Sequence, residues 1–211
     1  MWEPQRRALA AHEIFAPHLY RLGNSMDAWA QHVLEHVDGE LAVVGASMGG
    51  YCALAIARAE PARVRALVLV GSRPDADSDE RRASRDETIA LIRRDGAAGL
   101  WELLRPKLFS GEAPPEVVAR AREIAGEQDP GGLVAALEAI RDRADSTDVA
   151  DALGSRLLLV VGERDPFVPV ADARRLAHDR LHVIAGAGHL PSLERPDELN
   201  AVLTEFLARW T

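Results

Sequence analysis

The chain has 211 residues, of which 47% are hydrophobic and 27% charged, enough apolar material for one globular domain with room for an insertion. Its formal net charge of -8 argues against a nucleic-acid partner, since such partners select a concentrated basic face. No apolar run has the length of a membrane span and Met1 to Arg7 lacks a signal-peptide core, so a cytoplasmic protein with no membrane partner is expected.

Pro4 followed by good helix formers predicts a short helix over Trp2 to Leu9. Glu13-Ile14-Phe15-Ala16 reads as a short strand stopped by Pro17. Asn24 or Ser25 then caps a helix whose apolar members Met26, Trp29, Val33, Leu34 and Val37 recur at three- and four-residue steps. Asp38-Gly39 turns into the apolar run Leu41 to Val44, and a second run spans Ala66 to Val70. Continuous apolar runs separated by helices predict a parallel sheet covered on both faces.

Between these two runs lies Gly45-Ala46-Ser47-Met48-Gly49-Gly50, a strand-turn-helix stretch that fits G-x-S-x-G with Ser47 at the apex. Gly45 and Gly49 lack the Cβ that would clash where strand and helix are expected almost to touch. The turn exposes the Ser47 hydroxyl, and the Met48 N–H and the positive helix terminus face negative charge developing beside it. The single cysteine, Cys52, sits among apolar helix residues with no disulfide partner and no metal-ligand spacing, so it is expected buried and inert, and no metal is expected.

Strand signals vanish from Arg73 to Ala150. Helical pieces at Thr88-Arg94, Gly99-Leu104, Glu116-Ile124 and Leu133-Arg141 are punctuated by Asp95-Gly96, Pro114-Pro115 and Asp129-Pro130-Gly131-Gly132. The division is therefore a core of residues 1–72 and 151–211 and an all-helical insertion of residues 73–150. Arg81-Arg82 and Arg93-Arg94 are expected on solvated helix faces, and Trp101 and Phe109 within the insertion's own core. The sheet resumes at Leu157 to Val161 and at His182-Val183-Ile184, and a last helix carries Leu199, Val202, Leu203, Phe206, Leu207 and Trp210 on one stripe.

A serine nucleophile needs a base to take its proton and a carboxylate to orient that base. Gly162-Glu163-Arg164-Asp165-Pro166 follows one late strand and Gly186-Ala187-Gly188-His189-Leu190-Pro191 follows the next, so Asp165 and His189 reach the same carboxyl rim as Ser47. Glu163 and Asp172 compete with Asp165. His12, His18, His32, His36, His178 and His182 compete with His189, but none of them lies in a Gly-flanked loop after a late strand.

At these residues the chain resembles the α/β-hydrolase superfamily, in particular its small cofactor-free, esterase-like members with a helical cap. The resemblance rests on the Gly45-Gly50 elbow, the 73–150 insertion, Gly162-Glu163-Arg164-Asp165, and Gly188-His189-Leu190-Pro191-Ser192-Leu193-Glu194-Arg195-Pro196. It implies an α/β fold with a mostly parallel sheet, a Ser47 nucleophile, a His189 base, an Asp165 orienter, an oxyanion donor at the Met48 N–H, and no cofactor. The activity implied is hydrolysis of a small or medium carboxylic ester, or a thioester. Alternatives on the same residues are a catalytically impaired relative that binds a ligand or partner, and a carbon–carbon bond hydrolase or lyase. Relatives begin with further strands and a His-Gly loop that gives a second oxyanion N–H; these have no counterpart here, and His18 stands where relatives place an aspartate. A shortened sheet is thus expected, and its open edge invites a homodimer.

Overall fold

The computed structural model describes residues 1–177 and 179–210. Four strands, β1 (Leu41–Ala46), β2 (Val64–Val70), β3 (Leu157–Gly162) and β4 (Leu181–Ile184), form one sheet in the order β1-β2-β3-β4. Every neighbouring pair is parallel. The surroundings of β2 explain why its sequence is apolar apart from the exposed Arg65. Val64, Leu67 and Leu69 face one core cluster while Ala66, Val68 and Val70 face the other, so both sides of the strand are dry from Ala66 onwards.

The first cluster packs the sheet against α2 (Met26–His36) and α3 (Met48–Ala59). Ser25 is the cap of α2, its Oγ accepting the Ala28 N–H at 3.4 Å, and Trp29 is fully buried with its indole N–H on the Gly23 carbonyl. The second cluster packs the sheet against α10 (Pro196–Leu207), whose Leu199, Leu203, Phe206 and Leu207 are buried, joined by Trp2 and Leu9 flanking α1 (Glu3–Ala8). The expected stripe of the last helix and the expected first helix are both present.

Glu13–Ala16 is not a strand. The partner of β1 among the described residues is β2 alone, so this segment has no ladder to join. Phe15 instead stacks on His36 of α2, centroids 5.8 Å apart, with His32 beyond it. The other edge of β1 opens on a cleft of about 2540 Å³ that runs beneath α1 and reaches Ser47 and His189.

From β2 to β3 the chain is helical: α4 (Asp79–Leu108), α5 (Pro115–Gly126), α6 (Pro130–Arg141) and α7 (Thr147–Leu153). The two pieces expected on either side of Asp95-Gly96 belong to α4, which is broken internally where Gly96 takes φ 65°, ψ -159°. Only a residue without a Cβ adopts that conformation cheaply, so the punctuation read in the sequence is a kink and not an end. Trp101 is buried and lies edge-on to Phe109, in line with a role in the insertion's core. Two short helices, α8 (Val170–Ala177) and α9 (Pro191–Glu194), follow β3 and β4.

The glycines of the elbow divide differently from expectation. A Cβ on Gly45 would lie 2.3 Å from the Gly49 carbonyl oxygen, and one on Gly50 would lie 2.3 Å from Ser72 Oγ. One on Gly49 would meet nothing closer than Leu19 at 3.8 Å. The strand-to-helix approach is thus made by Gly45 and Gly50. Gly45→Ala is expected to destabilise the protein by ~3 kcal/mol, whereas Gly49→Ala should stay within about 1 kcal/mol of wild type, as read from urea denaturation midpoints. Cys52 is 3% exposed, and burial pushes its thiol up to about 12. Because the reactive form is the thiolate, native protein at pH 8 should resist iodoacetamide and become labelled only in denaturant, as read by mass spectrometry.

Candidate active site

Ser47 stands between the last residue of β1 and the first of α3 with φ 47°, ψ -115°, the one non-glycine residue with positive φ among those described. Such a conformation costs on the order of 1–3 kcal/mol and persists only where neighbours over-determine it. Here they do. The Ser47 N–H donates to the Val70 carbonyl at 2.8 Å, and its own carbonyl accepts the Gly50 N–H at 2.9 Å. Both backbone groups are committed, and the side chain is turned out of the sheet.

Its Oγ lies 2.9 Å from His189 Nε2, across 142 residues of sequence. The other ring nitrogen, Nδ1, lies 2.9 Å from Asp165 Oδ2. Asp165 is 3% exposed, and its second oxygen accepts the backbone N–H groups of Phe167 at 2.8 Å and Val168 at 3.1 Å. This carboxylate has therefore exchanged water for protein donors on both oxygens and cannot rotate freely. Paired with an acceptor-only carboxylate, Nδ1 carries the proton, which leaves Nε2 to accept from the Ser47 hydroxyl. Phe167 covers the imidazole with ring centroids 4.6 Å apart. Met48 opens α3, so its N–H has no intrahelical acceptor and remains available to an anion.

The competing residues are engaged elsewhere. Glu163 is exposed and accepts the Gly186 N–H. Asp172 lies in α8, bonded to Arg175 and 3.8 Å from Arg73. His12 and His18 are exposed, His32 and His36 stack with Phe15, and His182 faces Glu198 at 3.7 Å. His178 lies outside the described residues. Among the described residues, no group of three or more His, Cys, Asp or Glu side chains is arranged to hold a metal ion.

Two contributors escape sequence reasoning. Gly71, at φ 56° just past β2, lies under the His189–Asp165 pair, and a Cβ there would sit 3.1 Å from His189 Nδ1 and 3.2 Å from Asp165 Oδ2. The Val70-Gly71 junction at a strand end is the only sequence signal for it. Glu194 is 4% exposed and bridges two backbone donors, the Gly188 N–H at 2.9 Å and the Ser110 N–H at 2.8 Å. It ties the histidine loop to the chain just beyond α4, where the His189 N–H also donates to the Leu108 carbonyl at 3.0 Å. A charged residue directly after the uncharged stretch Leu190-Pro191-Ser192-Leu193 is the hint that the sequence offers.

The model of the alpha/beta hydrolase family matches residues 1–202, and the chain belongs to that family. Among curated relatives it is 28% identical over 193 residues to a pimeloyl-(acyl-carrier protein) methyl ester esterase of Neisseria meningitidis serogroup A, a match that covers 86% of this chain and 62% of the relative's length. Among solved structures it is similar to a thermophilic esterase from Thermogutta terrifontis, with 28% identity, a TM-score of 0.86, and 100% of this chain and 85% of that one covered. It is also similar to the enol-lactonase of Burkholderia xenovorans LB400, with 25% identity, a TM-score of 0.82, and coverage of 99% and 86%.

Removing Glu194 would orphan two buried N–H groups. Glu194→Ala is expected to lower stability by about 2–4 kcal/mol in urea titrations, and Glu194→Gln, which keeps one acceptor, by roughly half of that.

Proposed function

We propose that the protein is a serine hydrolase that cleaves a small or medium carboxylic ester, or a thioester, through an acyl-enzyme on Ser47. The observation that carries this reading is the unbroken run of contacts from Ser47 Oγ to His189 Nε2 and from His189 Nδ1 to Asp165 Oδ2, each 2.9 Å. The names of the relatives, esterases and a lactonase, lend it support from an independent side.

In this scheme Ser47 Oγ forms a bond to the ester carbonyl carbon as its proton passes to His189 Nε2. The imidazolium is held by Asp165, whose orientation is fixed by the Phe167 and Val168 N–H groups and by the ring, all of which donate to it. The Met48 N–H receives the negative charge that collects on the carbonyl oxygen, at the positive end of α3. Collapse of the tetrahedral adduct breaks the bond to the leaving alcohol or thiol, which takes the proton from Nε2. Water, deprotonated by the same nitrogen, then releases the acid and restores Ser47. The scheme uses no metal or organic cofactor. The helices of residues 73–150 act as a cap over the ester, a role in keeping with Trp101, Leu104 and Ile140 lining the cleft that contains Ser47.

Ser47→Ala is expected to lower turnover of p-nitrophenyl butyrate by at least ~10³-fold with unchanged circular dichroism, and to abolish labelling by a fluorophosphonate probe. Wild-type protein that folds yet neither turns over the ester nor takes up the probe would refute the reading.

A further inference from the structure

Arg81 is not on a solvated face, contrary to what its neighbour Arg82 and the surrounding acids suggest. It turns inward from the first turn of α4 and binds Asp75 at 2.8 Å, with Asp77 at 3.5 Å. Arg85, one turn later, binds Asp77 at 3.1 Å, and Arg73 binds Asp75. Arg143 approaches Asp77 at 2.9 Å from the far end of the insertion and lies 4.0 Å over the Tyr51 ring. Hydrogen bonds from Arg73 and Arg81 outweigh the burial that opposes them and hold the Asp75 carboxyl below its ordinary range, so Asp75 is ionised.

Four guanidinium groups thus share two carboxylates. Asp172, 3.8 Å from Arg73, does not change the balance, because it brings Arg175 with it. Two positive charges are left over. Arg143 is 4% exposed and donates to the Ile140 and Asp75 carbonyls, which makes it a fixed bolt between the ends of the insertion. Arg73, Arg81 and Arg85 retain 18%, 30% and 28% of their side-chain exposure. All three, with Asp77, line the large cleft that also reaches Ser47 and His189. The set is also near the proposed chemistry along the chain: Arg73 follows Gly71, which touches the His189–Asp165 pair, and Tyr51 is one turn of α3, ~6 Å, beyond Ser47.

A protein of net charge -8 repels anions at long range, so a partly desolvated basic surplus beside the site is a specific local feature. A tether between insertion and core would need only charge balance, which Arg143 and Asp77 already approach. Guanidinium forks with unused N–H groups in a cleft match the paired oxygens of a carboxylate or phosphate.

We propose that Arg73, Arg81 and Arg85 form an anion subsite that selects esters carrying a second, negatively charged group on the acyl chain, with a carboxylate as the anion, so that the preferred substrates are half-esters of dicarboxylic acids. The proposal rests on the serine-hydrolase reading for its activity assay but not for its binding assay. kcat/KM is compared for monomethyl succinate, glutarate, adipate and suberate and for neutral methyl esters of matched length, along with the phosphate monoester of methyl hydroxyhexanoate. At least one half-ester should exceed its neutral counterpart by about tenfold or more, the scale of one charge-assisted hydrogen bond. In Arg85→Gln that ratio should collapse towards one, while Arg85→Lys, which keeps the charge, should retain most of it. A phosphate ester preferred over every half-ester would overturn the carboxylate assignment. Neutral esters cleaved as well as all charged ones would overturn the subsite while leaving the hydrolase intact. If no ester is cleaved, the hydrolase reading fails and the subsite is judged by calorimetric titration of adipate into Ser47→Ala. Binding weakened about tenfold by the added Arg85→Gln change sustains it, and no binding overturns it.

Discussion

The alignment of four parallel strand ends is the constraint on which the rest of the structure depends. Past the ends of the strands the ladder continues through the Ser47 N–H on Val70, the Gly71 N–H on Val160 and the Glu163 N–H on Ile184, at 2.8, 2.8 and 2.9 Å. These bonds fix where each chain leaves the sheet. Because parallel ladders are evenly spaced, the loops after β1, β2, β3 and β4 emerge on one rim, and residues as far apart as Ser47 and His189 meet at hydrogen-bond distance.

The rim holds its shape because every strained or polar feature on it has a partner. The unfavourable φ of Ser47 is enforced by the close approach of Gly45 and Gly50 to their neighbours, and the buried Asp165 has donors for both oxygens. The helical insertion takes part in this support. Its end at Leu108 and Ser110 is bonded to the histidine loop and to Glu194. Its beginning and end are joined to each other, since Ser146 N–H donates to Pro74 and Arg143 spans Asp75 and Asp77. The insertion is thereby part of the scaffold that orients His189.

Charge is distributed against the average. The chain as a whole is acidic, which keeps its outer surface solvated, and its exposed pairs such as Arg94–Asp95 and Arg120–Glu123 contribute little to stability. Arg73, Arg81 and Arg85 are gathered at one part of the cleft lining, around Asp75 and Asp77. Arginines that would be unremarkable on a helix exterior acquire direction once α4 is laid against Asp75 and Asp77, and they line the same cleft as Ser47.

The sequence by itself determined the four strands, most of the helices and the identity of the three side chains on the rim. Apolar runs spaced by helices dictate a parallel sheet, and the G-x-S-x-G turn, the loop at Asp165 and the Gly-flanked His189 each follow a strand, so local order along the chain names them. It misjudged Glu13–Ala16, because an apolar tetrapeptide becomes a strand only if a neighbour offers a free ladder. It chose Gly49 over Gly50, because which backbone atoms nearly touch is a matter of how the helix seats on the sheet. Gly71, Glu194 and the inward turn of Arg81 were decided by tertiary structure alone. Each acts on atoms far away in sequence: Gly71 on His189 and Asp165, Glu194 on Ser110, and Arg81 through Asp77 on Arg143. A linear pattern records what a residue is and what stands beside it, but these contacts exist only after the insertion folds back onto the rim.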